Sequence, residues 1–83
     1  MIIIKYPVST EKALRMMEAE NKLVFVVERG ATKQDIRKAI EAAFKTKVVS
    51  VNTVNTVRGD KRAIVKFSAE TPAIDIATNL GLM

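Results

Sequence analysis

Apolar residues along this chain change their spacing several times, and each change marks an element. Ile2 to Tyr6 reads as a short extended start punctuated by Pro7. Ala13, Leu14 and Met17, with Met16, then recur every three to four residues, while Lys12, Arg15, Glu18 and Glu20 fall between them. This predicts an amphipathic helix running to about Glu20, capped by Ser9 or Thr10, with Glu11 in its positive first turn. Leu23 to Glu28, bounded by Asn21 and Gly30, is rich in β-branched residues and too short for a helix, and predicts a buried strand. Thr32-Lys33-Gln34-Asp35 forms a capping box with Asp in place of the usual Glu or Gln. Behind it, Ile36, Ile40, Ala43 and Phe44 fall on one helical face, and Lys33, Arg37, Lys38, Glu41 and Lys45 on the other.

From Lys47 to Val57, Val alternates with Asn, Thr and Ser; Arg58-Gly59-Asp60-Lys61 turns, and Arg62 to Ser68 is apolar again. That is a β-hairpin. A two-residue Gly59-Asp60 loop and a three-residue loop ending at Lys61 would put opposite side chains on the core face, so the register stays open. Thr71-Pro72 predicts a last helix with Thr71 as N-cap and Pro72 at the first helical position. Ile74 and Ala77, with Ile76 and Leu80, would pack inward, and Gly81 would close it. The order β-α-β-α-β-β-α implies an α+β fold, an antiparallel sheet of three to four strands with helices mainly on one face. It is a relative of split β-α-β and ferredoxin-like folds. Residues 1–83 read as a single domain.

Composition changes the picture in three ways. At 48% hydrophobic and 28% charged, the chain belongs with folded domains rather than disordered ones. The absence of Cys excludes disulfides and thiolate metal sites, and fits a reducing cytoplasm. Apolar runs such as Leu23 to Val27 fall far short of the roughly 20 residues of a membrane span, and no signal core follows a basic start.

Charge then narrows the partner. Fourteen basic against nine acidic residues give +5, which favours an anionic partner, nucleic acid or an acidic membrane surface. Residues 32–48 carry five basic and two acidic groups, 49–69 carry four and one, and 70–83 carry none and two. The positive charge thus sits in the middle of the chain.

Catalytic chemistry has little to use. Neither His nor Cys is present, and no Ser stands in a nucleophile elbow. Glu18, Glu20 and Asp75 read as solvated helix carboxylates. Gly30, Gly59 and Gly81 are too far apart for a phosphate-cradling loop, and no carboxylate spacing suits calcium. We therefore expect no enzyme, cofactor or metal. Arg58-Gly59-Asp60, a tripeptide known from cell adhesion, is here a tight turn.

The same turn with Lys61, Arg62 and Lys66 can reach several phosphates, although such lysines can equally guard an exposed strand edge. Asn52, Thr53, Asn55 and Thr56 offer small donors and acceptors suited to ribose hydroxyls and phosphates, and Asn is otherwise depleted in strands. Tyr6 is the sole Tyr, and Phe25, Phe44 and Phe67 hold core-like positions, so no aromatic stacking platform exists. Recognition should rest on shape and phosphates more than on stacked bases. Lys33, Arg58, Lys61, Arg62 and Lys66 are each expected to add roughly one unit to the salt slope of RNA binding.

Five short motifs carry a resemblance. They are Tyr6-Pro7; Ser9-Thr10-Glu11-Lys12-Ala13; Asn21-Lys22-Leu23-Val24-Phe25; Ala31-Thr32-Lys33; and Val51-Asn52-Thr53 leading to Gly59-Asp60-Lys61-Arg62-Ala63. In this order and spacing the chain, from about Lys5 to Leu82, resembles the family of the twenty-third protein of the large ribosomal subunit. The ending Ala73-Ile74-Asp75-Ile76-Ala77 through Leu80-Gly81 looks like the archaeal and eukaryotic branch.

The resemblance implies a cytoplasmic, ribosome-bound structural protein at the mouth of the peptide exit tunnel. It would contact large-subunit ribosomal RNA beside the twenty-ninth large-subunit protein, with the signal recognition particle and the translocation channel docking on its exposed side. Thr10, Lys12, Lys33 and the stretch Asn52 to Arg62 would face RNA, and Glu11 and Glu18 the docking factors. Membrane insertion and a small-molecule substrate are not implied. The hairpin is shorter than the basic loop that bacterial members send into the tunnel, and the basic N-terminal extension of eukaryotic members is missing. Two other classes share the size and topology. A small ferredoxin-like regulatory domain would bind a ligand at a dimer interface and need no basic hairpin. An acyl-phosphate hydrolase would need an Arg and Asn around an anion-binding loop, which these spacings do not provide.

Overall fold

The computed structural model describes residues 3–8 and 10–79. Its elements follow the expected order: β1 (Ile4–Pro7), α1 (Glu11–Glu20), β2 (Lys22–Val27), α2 (Lys33–Phe44), β3 (Val48–Asn55), β4 (Lys61–Phe67) and α3 (Ala73–Asn79). Four strands form one sheet in the order β1-β2-β4-β3, every neighbouring pair antiparallel. Consequently β2 and β3 run parallel with β4 inserted between them, so β2-α2-β3 is a split β-α-β unit.

Alternation along the strands sorts their side chains into two faces. Leu23, Phe25 and Val27 of β2 lie opposite Val65, Ala63 and Lys61 of β4, and the apolar members of that set enter the core. Ile36 and Ile40 of α2 and Ala73 and Ile76 of α3 complete it. Phe25, Phe67, Ile36 and Ile40 are fully buried, each burial stabilising the fold by roughly 1.5–3 kcal/mol. Phe44 packs against this core with its ring stacked on Phe25, centroids 6.3 Å apart. Ala43, expected on the same stripe, is exposed at the last turn of α2.

Both long helices start as their sequences predict. Thr10 is the N-cap of α1, its Oγ1 accepting from the Ala13 N–H at 3.2 Å; the alternative cap, Ser9, lies outside the described residues. At α2 the capping box is complete. Thr32 Oγ1 accepts from the Asp35 N–H and Asp35 Oδ2 accepts from the Thr32 N–H, both at 3.1 Å.

The last helix departs from expectation. It is capped in space rather than by Thr71: the Ala73 N–H donates to Asn21 Oδ1 at 2.6 Å. Asn21 Nδ2 in turn donates to the carbonyls of Phe67, Ser68 and Thr71 at 3.0–3.2 Å. Asn21 itself closes α1 in the left-handed conformation, with φ 56°. One side chain therefore ties together the end of α1, the end of β4 and the start of α3. With α3 held in this way, Ala73 and Ile76 are buried, whereas Ile74, expected inward, is 42% exposed. The Leu80 and Gly81 expectations, and the side chain of Ala77, lie outside what is described.

Neither loop expected for the hairpin forms. The tip is Val57-Arg58-Gly59, closed by the Thr56 N–H donating to the Asp60 carbonyl at 2.8 Å and the Gly59 N–H to the Thr56 carbonyl at 3.0 Å. Gly59 takes φ +89°, which makes this a type I turn followed by a left-handed residue, the three-residue hairpin for which Gly at the third position is favoured. The resulting register pairs Asn55 with Lys61 and Thr53 with Ala63.

Candidate nucleic-acid interface

The second face of the sheet carries the other half of the alternation. Val24 and Val26 lie here and are buried, so β2 is covered on both sides, as its continuous apolar run requires. The cover comes from α1, which runs beside β2 and sets itself apart from the other helices in this way. Met17 joins the core, while Ala13 and Met16 border a hollow with Val24 and Ile64. Farther along the sheet, the cover stops. Ser50, Asn52 and Val54 of β3 pair with Lys66, Ile64 and Arg62 of β4 and form an open, polar and basic surface.

The candidate residues divide accordingly. Asn52, Arg62 and Lys66 share the open face, with Thr56 at its hairpin end and Lys12 and Thr10 at the rim contributed by α1. Thr10 keeps its hydroxyl hydrogen free to donate while its oxygen serves as the cap. Arg58 stands exposed at the hairpin tip beside Val57, which has no cover at all. Among the described residues no ion pair engages Arg58, Arg62 or Lys66, so their charge is available to an outside anion.

Thr53 and Asn55 project to the opposite face, next to the α2 side, and do not join that surface. Lys33 starts α2 and lines a separate shallow hollow with Gln34, Arg37, Ser50 and Val51 at the β3 edge. There Arg37 Nε lies 3.7 Å from Glu41 Oε2, which tempers its charge. Lys61 is turned inward: its Nζ donates to the Ala31 carbonyl at 2.6 Å, tying the hairpin base to the turn before α2. This bond gives Lys61 a structural role that its charge did not predict. Glu11 and Glu18 are both exposed on α1, seven residues apart and so on nearly the same side of the helix.

Arg62 carries a feature that its charge alone does not predict. It is partly buried, and its Nε–H is enclosed without a hydrogen-bond partner among the described residues, a cost of roughly 1–3 kcal/mol unless an acceptor arrives from outside. It lines the hollow of about 190 Å³ whose apolar wall is Met16, Val24, Val54 and Ile64 and whose polar groups include Lys12, Thr10 and Thr56. Among the described residues no cluster of three His, Cys, Asp or Glu could hold a metal, and no helix is long and apolar enough to cross a membrane.

Comparison with known proteins bears on the whole chain. Residues 2–77 match the family model described as Ribosomal protein L23. A large ribosomal subunit protein uL23 from Pyrobaculum aerophilum is 47% identical over 81 residues, covering 98% of this chain and 100% of that protein. A uL23 from Tetrahymena thermophila is 41% identical over 81 residues, again 98% of this chain but 54% of the longer relative.

Proposed function

Because the chain belongs to the ribosomal protein L23 family, we propose that it binds large-subunit ribosomal RNA through the open half of its sheet and the tip of its hairpin. Family membership makes it a structural constituent of the large ribosomal subunit, cytoplasmic and ribosome-bound, and not an enzyme. The archaeal relative matches it from end to end, in keeping with the archaeal character of its last helix.

The observation that carries the RNA reading is the open face itself. Ser50, Asn52, Arg62 and Lys66 lie together with no carboxylate among their cross-strand partners on that face, and Arg58 extends the same charge to the tip. Long cations there can replace counterions along a phosphate backbone, while Asn52 and Ser50 meet ribose hydroxyls. A salt titration of binding to purified large-subunit ribosomal RNA tests it. Replacing Arg58, Arg62 and Lys66 together by Ala should lower the magnitude of the slope of log K against log salt by about two to three. An unchanged slope sinks the assignment.

The proposal extends to position on the ribosome. Glu11 and Glu18 mark the exposed side of α1. We assign it to docking of exit-tunnel factors, the signal recognition particle and the translocation channel, with the twenty-ninth large-subunit protein as a neighbour. Charge reversal at Glu11 and Glu18 should weaken recruitment of signal recognition particle to reconstituted subunits without changing RNA affinity; equal recruitment would refute this side. The small regulatory domain weighed above is set aside by the family match.

A further inference from the structure

We infer that the hollow between α1 and the second face of the sheet is a pocket for one nucleotide extruded from the RNA, its base on the apolar wall and its phosphate between Lys12 and Arg62. This rests on the RNA reading and adds to it a specific subsite. A pure phosphate site would be polar throughout. Here Val8, Ala13, Met16, Val24, Val54 and Ile64 make up six of the ten lining residues, a surface suited to the flat face of a base and wasted on a phosphate alone. A protein side chain would use that wall but leave the cations idle. No carboxylate lines the hollow, whereas Lys12 and Arg62 both do, so the occupant must be apolar in one part and anionic in another.

Arg62 adds an independent demand. Its enclosed Nε–H lacks an acceptor among the described residues, and a phosphate oxygen or a base carbonyl supplies one. Its planar guanidinium is also the one group here able to stack on a base, in a chain whose aromatic rings lie elsewhere. Size agrees with one base inside and its sugar and phosphate at the margin: about 190 Å³ is well below the roughly 300 Å³ at which pockets for whole small ligands begin. The Thr10 hydroxyl at the margin can read the polar edge of the base, while that of Thr56 is held by Asp60 within the hairpin.

The test uses the intact chain, methyl-labelled at Met, Val and Ile, bound to the large-subunit ribosomal RNA fragment that it protects from nuclease. We expect nuclear Overhauser contacts between base protons of one nucleotide and the methyl groups of Met16, Val24 and Ile64. Val54→Phe, which fills the hollow and removes no charge, should weaken binding about tenfold with an unchanged salt slope. Lys12→Ala should lower that slope by about one. Tight RNA binding without those methyl contacts overturns the pocket and leaves the RNA reading standing, and so does full affinity in a folded Val54→Phe protein. If Val54→Phe fails to fold, the methyl contacts in the wild type decide alone. Absence of any protected fragment refutes the RNA reading itself. Adenosine or uridine monophosphate saturating these methyls while the RNA fragment does not would also overturn the pocket as an RNA subsite.

Discussion

The two faces of this sheet are made by the same strands and do opposite work. On one, the apolar residues of β2 and β4 join a single core with residues of α2 and α3; on the other, the helix cover reaches β2 and ends before β3. The covered face is chemically uniform, because burial there rewards shape and apolar area alone. The open face mixes Ser, Asn, Val, Arg, Ile and Lys within two strands, a combination that stabilises nothing by itself and suits a polar anionic partner. The comparison teaches that in a domain this small, function can be written into the alternate positions of strands whose other positions make the core.

The largest effect should separate the two faces directly. Phe67→Ala on the covered face should cost about 3–5 kcal/mol, a large part of the roughly 5–15 kcal/mol that holds a domain together. Val54→Ala on the open face, where Val54 is already 49% exposed, should change stability by less than about 0.5 kcal/mol. Urea unfolding of the two variants, followed by circular dichroism, reads the difference. Similar midpoints would mean that the open face is part of the core after all.

Next in size is Asn21, which belongs to neither face but holds the ends of three elements together. Asn21→Ala should cost about 2–4 kcal/mol, since it frees the α3 start and the last carbonyls of β4 and puts an ordinary residue in a left-handed conformation. Asn21→Gly loses the same hydrogen bonds but relieves the conformational part, and so should recover about 1 kcal/mol relative to Asn21→Ala. Equal loss in both variants would show that the hydrogen bonds alone matter.

This residue also shows where the chain was legible before folding and where it was not. Local patterns identified all seven elements, the Thr10 cap and the Thr32–Asp35 box, because each depends on residues within one turn of one another. Asn21 meets partners 46 to 52 residues away, so its spacing to Gly30 and Leu23 marked a boundary and nothing more. The hairpin loop failed for a different reason: Gly59 suits several turn types, and only the pairing of β3 with β4 selects the one with Gly third. Among the site residues, alternation could not tell which face each belonged to until that register was fixed. Thr53, Asn55 and Lys61 therefore looked like companions of Asn52 and Arg62, and are not. Arg62 was counted for its charge, while its enclosed Nε–H depends on the side chains packed around it in the folded chain.

Lys61 and Lys66, two basic residues of one strand, turn the comparison into a charge experiment. Lys61→Ala loses the bond to Ala31 and should cost about 1–2 kcal/mol while leaving the salt slope of RNA binding unchanged. Lys66→Ala should do the reverse, with nearly no loss of stability and a slope smaller in magnitude by about one. If Lys61→Ala reduces the slope as much as Lys66→Ala, the inward lysine exchanges its carbonyl for a phosphate on binding, and the two faces are not independent.

The smallest effect belongs to Asp35, on the helix side of the molecule. Hydrogen bonds from the Thr32 backbone and hydroxyl, with Lys38 nearby, hold its carboxyl below its ordinary value of 3.8. A folded-state value below the unfolded one means that the ionised form favours the native state. Its contribution is therefore complete above the ordinary value and is lost as pH falls through the lowered one. Asp35→Asn keeps an acceptor for the Thr32 N–H but removes the charge from the first turn of α2, so it should be slightly less stable than the wild type at neutral pH. That gap should close on acidification below pH 3.8, and thermal melts of both proteins across that range measure it. RNA affinity at neutral pH should be the same in the two proteins, because this carboxylate lies away from the open face. A change in RNA salt slope with Asp35→Asn would show that the α2 start, with Lys33 beside it, also touches the RNA.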